Sequence, residues 1–257
     1  MSPDVVARES AAWLWYPDDA TVVDTDDYLL IRWPAYFAAS PSLMRLTPRG
    51  DVGATLDTAI AQAREWGLAE LVAWIKLDAP AGFEDLLVAR GGVPDETLDV
   101  FALDLADGLP DLGVPALDVR WRDADNSRDF VEVGVAAFGE GTVPDEETLR
   151  RLGNEAHRDF LDGRGGQVTA YADGRALGAG GRTMAGTTAR LWGGGVIPEG
   201  RGRGAYRAVL DARLRYAVDH GATMALVKGR VETSGPILRR AGFAAYGQER
   251  SYRLSLQ

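Results

Sequence analysis

The chain has no cysteine among its 257 residues, so a disulfide framework, a thiolate nucleophile and a thiolate-ligated zinc are excluded at the outset. It has no run of eighteen apolar residues, the length that crosses a bilayer as a helix. Its start, with Asp4 and Glu9 before a short Trp-rich stretch, lacks the basic-then-apolar pattern of a secretory signal. These absences predict a cytoplasmic protein that does not engage a membrane. A cationic surplus is missing too. The net charge of −10 argues against a duplex nucleic-acid partner, whose phosphates must be neutralised. What is present is 46% apolar content with 9% aromatics, enough for one large core or two small ones.

The charge is unevenly spread. Residues 1 to 110 carry 19 acidic and 7 basic side chains, whereas residues 111 to 257 carry 19 and 21. Either the first half has an acidic solvated face, or the second half handles an anionic ligand.

Hydrophobic period and turn chemistry parse the second half as an α/β chain. A strand at Leu117 to Trp121 precedes two helices, one capped by Asn126 or Ser127 and running to Phe138, the other opened by Pro144 and fading near Gly163. Gln167 to Ala172, Ala176 to Met184 and Thr188 to Val196 read as an antiparallel meander turning at Asp173-Gly174 and Ala185-Gly186. A helix from Arg203 to His220 follows, stopped by Gly221, with Arg207 and Asp211, then Asp211 and Arg215, four apart as ion pairs. A buried strand at Thr223 to Lys228, a short helix from Gly235 to Ala241 and two strands at Phe243 to Tyr246 and Ser251 to Leu256 complete the chain.

The first half repeats this order at a period of about 154. Thr55 to Gly67, Leu71 to Ile75, Phe83 to Gly91 and Leu98 to Leu105 match helix, strand, short helix and closing strand. Strands at Thr21 to Val23, Tyr28 to Trp33 and Leu43 to Leu46 precede them, and Leu105 to Pro115 reads as the linker between the two units.

The chemistry concentrates in Arg201-Gly202-Arg203-Gly204-Ala205-Tyr206. A Gly-rich turn between a strand and a helix N-terminus presents unpaired N–H groups at the positive end of a helix dipole, which suits an anion. Gly202 and Gly204 allow close backbone approach, and Arg201 and Arg203 add formal charge. A flexible solvated turn is the plainer alternative. There is no Gly-x-x-x-x-Gly-Lys-Ser/Thr, so a nucleoside-triphosphatase loop is excluded. Gly200-x-Gly202-x-x-Ala205, with Glu232 further on, mimics a dinucleotide fingerprint, but an antiparallel meander precedes it instead of alternating strands and helices.

The stretch Val196-Ile197-Pro198-Glu199-Gly200-Arg201-Gly202-Arg203-Gly204 resembles the acyl-CoA loop of the GNAT (GCN5-related N-acetyltransferase) superfamily. That motif is Gln/Arg-x-x-Gly-x-Gly/Ala after a strand ending Val-x-Pro, and Val196, Pro198, Arg201 and Gly204 match it. Tyr206 departs at the last position, and its place on the apolar stripe sends the ring toward the core. Thr233 to Phe243 resembles the second cofactor-side helix, with Ser234, Arg240, Gly242 and Phe243 in register.

The resemblance implies two GNAT-like units, each a mixed, mostly antiparallel sheet flanked by helices: a degenerate one at 1–108 and an acyl-CoA-binding one at 109–257. Acetyl-CoA, or another acyl-CoA, would be the co-substrate. Val196 and Ile197 would pair with its pantetheine arm, the N–H groups of residues 202 to 206 would hold the pyrophosphate, and Ser234 would contribute from the later helix. Gly193-Gly194-Gly195 would form the bulge that admits the thioester, with a backbone N–H near Val196 for the oxyanion.

The resemblance further implies an amine acceptor, from a small molecule or a peptide. Glu155 and His157 on the second helix are the candidate bases, against the ordinary alternative of solvated side chains. The tyrosine that supplies the leaving proton in many relatives is replaced by Leu238; Tyr246 and Tyr252 read as ordinary strand aromatics, Trp192 as core or acceptor contact, and His220 as a helix cap. No metal ligand set is expected. The equivalent turn of the first copy, Leu46 to Gly53, is four residues shorter and places Asp51 at the helix start, which caps the helix and repels a diphosphate. A first unit packed against the second favours a monomer, with a dimer as the alternative. Non-catalytic acyl-CoA binding is the rival to catalysis, and dinucleotide binding a third reading.

Overall fold

The computed structural model describes residues 1–34, 39–139 and 141–257. Along the chain run α1 (Pro3–Ala11), β1 (Thr21–Asp24), β2 (Tyr28–Arg32), β3 (Ser42–Leu46), α2 (Val52–Glu65), β4 (Glu70–Ile75), α3 (Phe83–Ala89) and β5 (Val93–Asp104). Then come β6 (Asp118–Trp121), α4 (Ser127–Phe138), α5 (Glu146–Leu161), β7 (Gly165–Ala172), β8 (Arg175–Ala185), β9 (Thr188–Val196), a 3₁₀ turn (Pro198–Gly200), α6 (Ala205–Asp219), β10 (Met224–Arg230), α7 (Ser234–Arg240) and β11 (Ala244–Ser255). The fold is mixed α/β with open, mostly antiparallel sheet flanked by helices. No helix of the described residues is long and apolar enough to cross a membrane.

Packing divides the chain into two units whose boundaries are not linear in sequence. Unit 1 contains Met1–Val100, Gly229–Pro236 and Ala245–Gln257; unit 2 contains Phe101–Lys228 and Ile237–Ala244. The units therefore do not follow a single cut at 108/109: residues 101–108 pack in unit 2, and residues 229–236 and 245–257 pack in unit 1.

In unit 1 the strand order is β1-β2-β3-β4-β11. β3 and β4 are parallel and joined by α2, while β11 runs antiparallel to β4 from Arg250↔Ile75 to Ser255↔Glu70. Leu30, Leu43, Leu56, Leu71, Phe83 and Leu87 are fully buried between sheet and helices. Each such side chain contributes on the order of 1.5–3 kcal/mol by leaving water. Two expectations change here. α1 is a helix that the apolar period did not reveal; Ser2 caps it by accepting from the Val5 N–H, and Pro3 opens it. The two closing strands expected around Tyr246 and Ser251 are one continuous strand, β11, whose second half, Arg250 to Ser255, pairs with β4.

In unit 2 the order is β10-β9-β8-β7-β6. The meander β7-β8-β9 is antiparallel, and β9 then pairs in parallel with β10 through α6. One core gathers Phe101, Leu191, Leu214, Leu238 and Phe243; another gathers Val133, Val168, Leu177 and Val209. α4 and α6 cover β8 and β9, whereas α5 packs on β7 and α4. The succession strand, helix, parallel strand, short helix, long strand occurs in both parts of the chain, as β3-α2-β4-α3-β5 and β9-α6-β10-α7-β11.

Candidate functional site

The site is built on the second half of β9. Ala179 pairs with Gly195 and Gly181 with Trp192, so β9 carries one residue more than β8 over this interval. The surplus is a bulge, and Gly193 takes it up with φ of 57°, a left-handed conformation that costs a residue with a Cβ on the order of 1–2 kcal/mol. The glycine run singled out in the sequence is therefore a bulge, as expected.

Beyond the bulge the two neighbours of β9 part. The parallel pairing with β10 runs from Thr188↔Met224 to Leu191↔Val227, although β9 continues to Val196. On the other side the Ile197 N–H donates to the Leu177 carbonyl at 2.9 Å. Backbone groups alternate along a strand, so the N–H and C=O of Val196 face away from β8, toward the edge at which the β10 ladder has ended. That edge offers a donor and an acceptor to an extended ligand. Ile197, in contrast, uses its N–H on Leu177, and its carbonyl accepts from Gly200 at 2.9 Å. Its expected pairing with a pantetheine arm is thus corrected: Ile197 is 6% exposed and anchors the strand end.

The loop after the 3₁₀ turn enters α6 without a side-chain cap. The first helical hydrogen bond runs from the Ala208 N–H to the Gly204 carbonyl. The backbone N–H groups of Gly202, Gly204, Ala205, Tyr206 and Arg207 have no partner among the described residues. Gly202, with φ of 76°, has nothing within 4 Å of where a Cβ would stand, so its surface is open to a ligand. These free donors gather at the start of α6, in the stretch for which the sequence reading expects an anion. Its flanking charges differ from expectation. Arg201 is exposed, but Arg203 donates from Nη2 to Asp173 Oδ2 at 3.0 Å, so the turn between β7 and β8 already offsets part of its charge.

Tyr206 does turn inward, and its ring lies 3.3 Å from the Cβ position of Gly194. Burial raises the pKa of its phenol, while Arg213 beside it lowers it. Arg213 is the residue that sequence reasoning missed. It is 1% exposed, and its Nε donates to Val209 O at 3.2 Å while Nη1 donates to Gly181 O at 3.1 Å and Trp192 O at 3.3 Å. Burial lowers its pKa. Glycine at 180 makes room, since a Cβ there would stand 2.9 Å from Arg213 Cζ. Paired glycines inside β8 were the available signal.

A second buried arginine, Arg182, lies 3.7 Å over the Tyr216 ring and donates from Nη2 to Gly165 O at 2.6 Å. Desolvation brings its pKa down to about 10, and its Nε and Nη1 have no hydrogen-bond partner among the described residues. His220 is the C-cap of α6, as read, with Nδ1 2.8 Å from the Tyr216 carbonyl. Trp192 donates from Nε1 to Thr183 Oγ1 at 3.0 Å and covers Gly181. The expected Arg215–Asp211 ion pair is present at 2.6 Å, while Arg207 donates to Leu112 O instead of pairing with Asp211.

The candidate bases are not brought to the bulge. Glu155 accepts from Arg151 at 2.9 Å as an i, i+4 pair. His157 is exposed, on a surface it shares with Glu147, Arg150, Arg151, Asn154 and Arg158. Two positions apart on α5, the two side chains diverge by about 200° around the helix axis. The residue brought to the bulge from this region is Phe138 at the end of α4: a Cβ on Gly195 would stand 3.1 Å from its ring and 2.7 Å from Ala137 Cβ. Ser234 belongs to unit 1, with Oγ donating to Arg230 O at 3.3 Å. Leu238 is fully buried in a unit 2 core.

No family model and no curated protein sequence matches the chain. Solved structures do. A GCN5-related N-acetyltransferase from Kribbella flavida aligns over 99% of this chain and 95% of its own, with TM-score 0.70 and 15% identity. A tandem GNAT protein from the clavulanic acid biosynthesis pathway aligns over 98% and 88%, with TM-score 0.65 and 17% identity. A GCN5-related N-acetyltransferase from Sphaerobacter thermophilus aligns over 91% and 82%, with TM-score 0.67 and 18% identity. Together with the bulged, splayed β9 and the uncapped loop that follows it, these likenesses establish that the chain has the fold of the GCN5-related N-acetyltransferases.

Proposed function

We propose that unit 2 is an acyl-CoA-dependent N-acyltransferase, with acetyl-CoA as its simplest co-substrate and an amine of a small molecule or peptide as acceptor. The observation that carries this reading is the run of unpartnered N–H groups at Gly202 and Gly204 to Arg207, one turn beyond a bulge whose open edge belongs to Val196. A diphosphate fits such a cradle because several amides and a helix N-terminus meet it together, and Arg201 adds charge. The pantetheine arm then lies along the Val196 edge, and its thioester reaches the bulge. Cytoplasmic location, a monomeric state and descent from a duplicated unit, with Asp51 closing the loop of the first copy, belong to the same reading. Asp51 Oδ1 accepts from the Ala54 N–H at 2.7 Å and so occupies the place at which an anion would bind.

The experiment is calorimetric titration of the full chain with CoA at modest salt, followed by thiol release from acetyl-CoA with a panel of amines. CoA binding lost on reversing Arg201 to Glu, together with amine-dependent thiol release, supports the proposal. No heat with CoA overturns it. Non-catalytic acyl-CoA binding is the second reading, favoured by the burial of Leu238 where many relatives place a proton donor and by the pairing of Glu155 to Arg151. Cofactor-dependent stabilisation without thiol release selects it.

A further inference from the structure

We infer that Arg213 is a positioning residue for acyl transfer, fixing the shape of the β9 bulge and setting a buried positive charge behind the backbone donors that face the thioester. The inference rests on the acyltransferase reading above.

The geometry begins with what a bulge costs. One surplus residue is left unpaired and locally disrupts the β8–β9 ladder. Gly181 and Trp192 are the last register pair before the break, and Nη1 of Arg213 takes both of their carbonyls. One side chain from α6 thus clamps the two strands together at the edge of the bulge, by donating to a carbonyl on each of them. The sequence makes the fit possible at two glycines. A Cβ at 180 would meet Arg213 Cζ at 2.9 Å, and one at 194 would meet Nη2 at 3.3 Å.

The charge is the second part. Among the described residues the partners of the guanidinium are three carbonyls and the Tyr206 hydroxyl, and no carboxylate is among them. A cation held away from water acts more strongly on its surroundings than a solvated one. In the transfer, the amine nitrogen bonds to the thioester carbon and the carbonyl electron pair moves onto oxygen. Collapse re-forms the carbonyl and breaks the C–S bond, and the departing thiolate takes the proton that nitrogen loses. The oxygen carries negative charge between those steps, in front of the bulge amides that Arg213 backs. Preorganised charge of this kind acts on the transition state more than on the bound ground state.

The test uses the full chain with Arg213→Met, Arg213→Lys and Gly180→Ala, the last of which displaces the guanidinium while keeping it in the sequence. Three quantities are read: kcat and KM for thiol release from acetyl-CoA with one amine, CoA affinity by calorimetry, and amide exchange at 193–196. The expected result for Arg213→Met and Gly180→Ala is a fall in kcat of about 10–100-fold with CoA affinity within about threefold of the parent, and faster exchange at the bulge. Arg213→Lys restores part of kcat. Unchanged kcat in folded Arg213→Met overturns the inference, as does an equal loss of kcat and CoA affinity, the mark of a merely structural role. If Arg213→Met does not fold, Gly180→Ala decides by the same criteria. If the parent binds CoA without turnover, the acyltransferase reading has failed separately, and unchanged bulge exchange in the variants then overturns this inference too.

Discussion

Pro115 packs against Gly204 so closely that its Cγ lies 2.6 Å from the point a Cβ on Gly204 would occupy. The segment before β6 is therefore laid across the first turn of α6, and Arg207 ties it there by donating to Leu112 O at 3.3 Å. Gly204 answers two demands at once, since its φ of 81° is also left-handed. Replacing it with alanine adds backbone strain of about 1–2 kcal/mol and overpacking of about 1–3 kcal/mol. Gly202→Ala, with φ of 76° and open space, adds the strain alone. Urea unfolding of the two variants should rank Gly204→Ala as the less stable by at least about 1 kcal/mol. Equal midpoints would show that Pro115 moves aside freely.

The contact between Arg203 and Asp173 gives the anion cradle an internal competitor. Asp173 sits in the hairpin turn at φ of 54°, a conformation asparagine also adopts readily, so Asp173→Asn removes the carboxylate without disturbing the turn. Freed from its partner, Arg203 adds its charge to the loop. CoA affinity should rise about 2–5-fold at low salt, and the gain should shrink as salt screens it. Unchanged affinity in a titration at low ionic strength would mean that Arg203 does not face the bound diphosphate.

How much of this was legible in the sequence depends on whether the deciding interaction is local. β9 was bounded correctly at Thr188 and Val196 because a hairpin glycine and Pro198 punctuate it, and the bulge was visible as three consecutive glycines. Helix α1 had a cap at Ser2 and a proline at Pro3, but its nine residues bury only Val6 and Ser10, so no apolar stripe advertised it. The destination of β11 could not be read at all. β5 and β11 are both twelve-residue strands that are more buried toward their C-terminal ends, and nothing local decides which of them pairs with β4. Arg182 and Arg213 were passed over because apolar periodicity counts arginine as a surface residue, whereas each is buried by aromatic and carbonyl neighbours.

Arg182 has a cost that its contacts do not fully offset. Its guanidinium gains a stacked Tyr216 and one carbonyl, yet two of its nitrogens are left without partners in a desolvated place. A cation–π contact of this kind contributes about 1–2 kcal/mol, similar to the penalty for one unsatisfied buried donor. Arg182→Met should therefore hold stability within about 1 kcal/mol of the parent at neutral pH, or raise it. The pH dependence has a definite sign. With the folded pKa lowered to about 10, the unfolded chain binds the extra proton above that point, so stability gains from this group as pH climbs above about 10 toward the ordinary guanidinium value. Arg182→Met lacks that gain, and any advantage it holds at neutral pH should narrow above pH 10. A loss beyond about 2 kcal/mol in urea at pH 7 would show that the stacked cation stabilises the unit instead.

The buried ion pair of unit 1 should behave in the opposite way. Lys76 Nζ lies 3.1 Å from Glu249 Oε2, the two side chains are 7% and 0% exposed, and Ser10 Oγ donates to the other carboxylate oxygen at 2.7 Å. Here each charge has its partner, and removing one leaves the other desolvated and alone. Glu249→Leu should cost about 3–5 kcal/mol, whereas Lys76→Met with Glu249→Leu should recover most of that loss, because an apolar pair of similar volume needs no desolvation of charge. The pair joins β11 to the end of β4, so the single variant should also speed amide exchange along the Arg250–Ser255 ladder. Additive losses in the double variant would mean that Lys76 is held chiefly by Trp74, whose ring its Nζ faces at 5.4 Å, and not by the carboxylate.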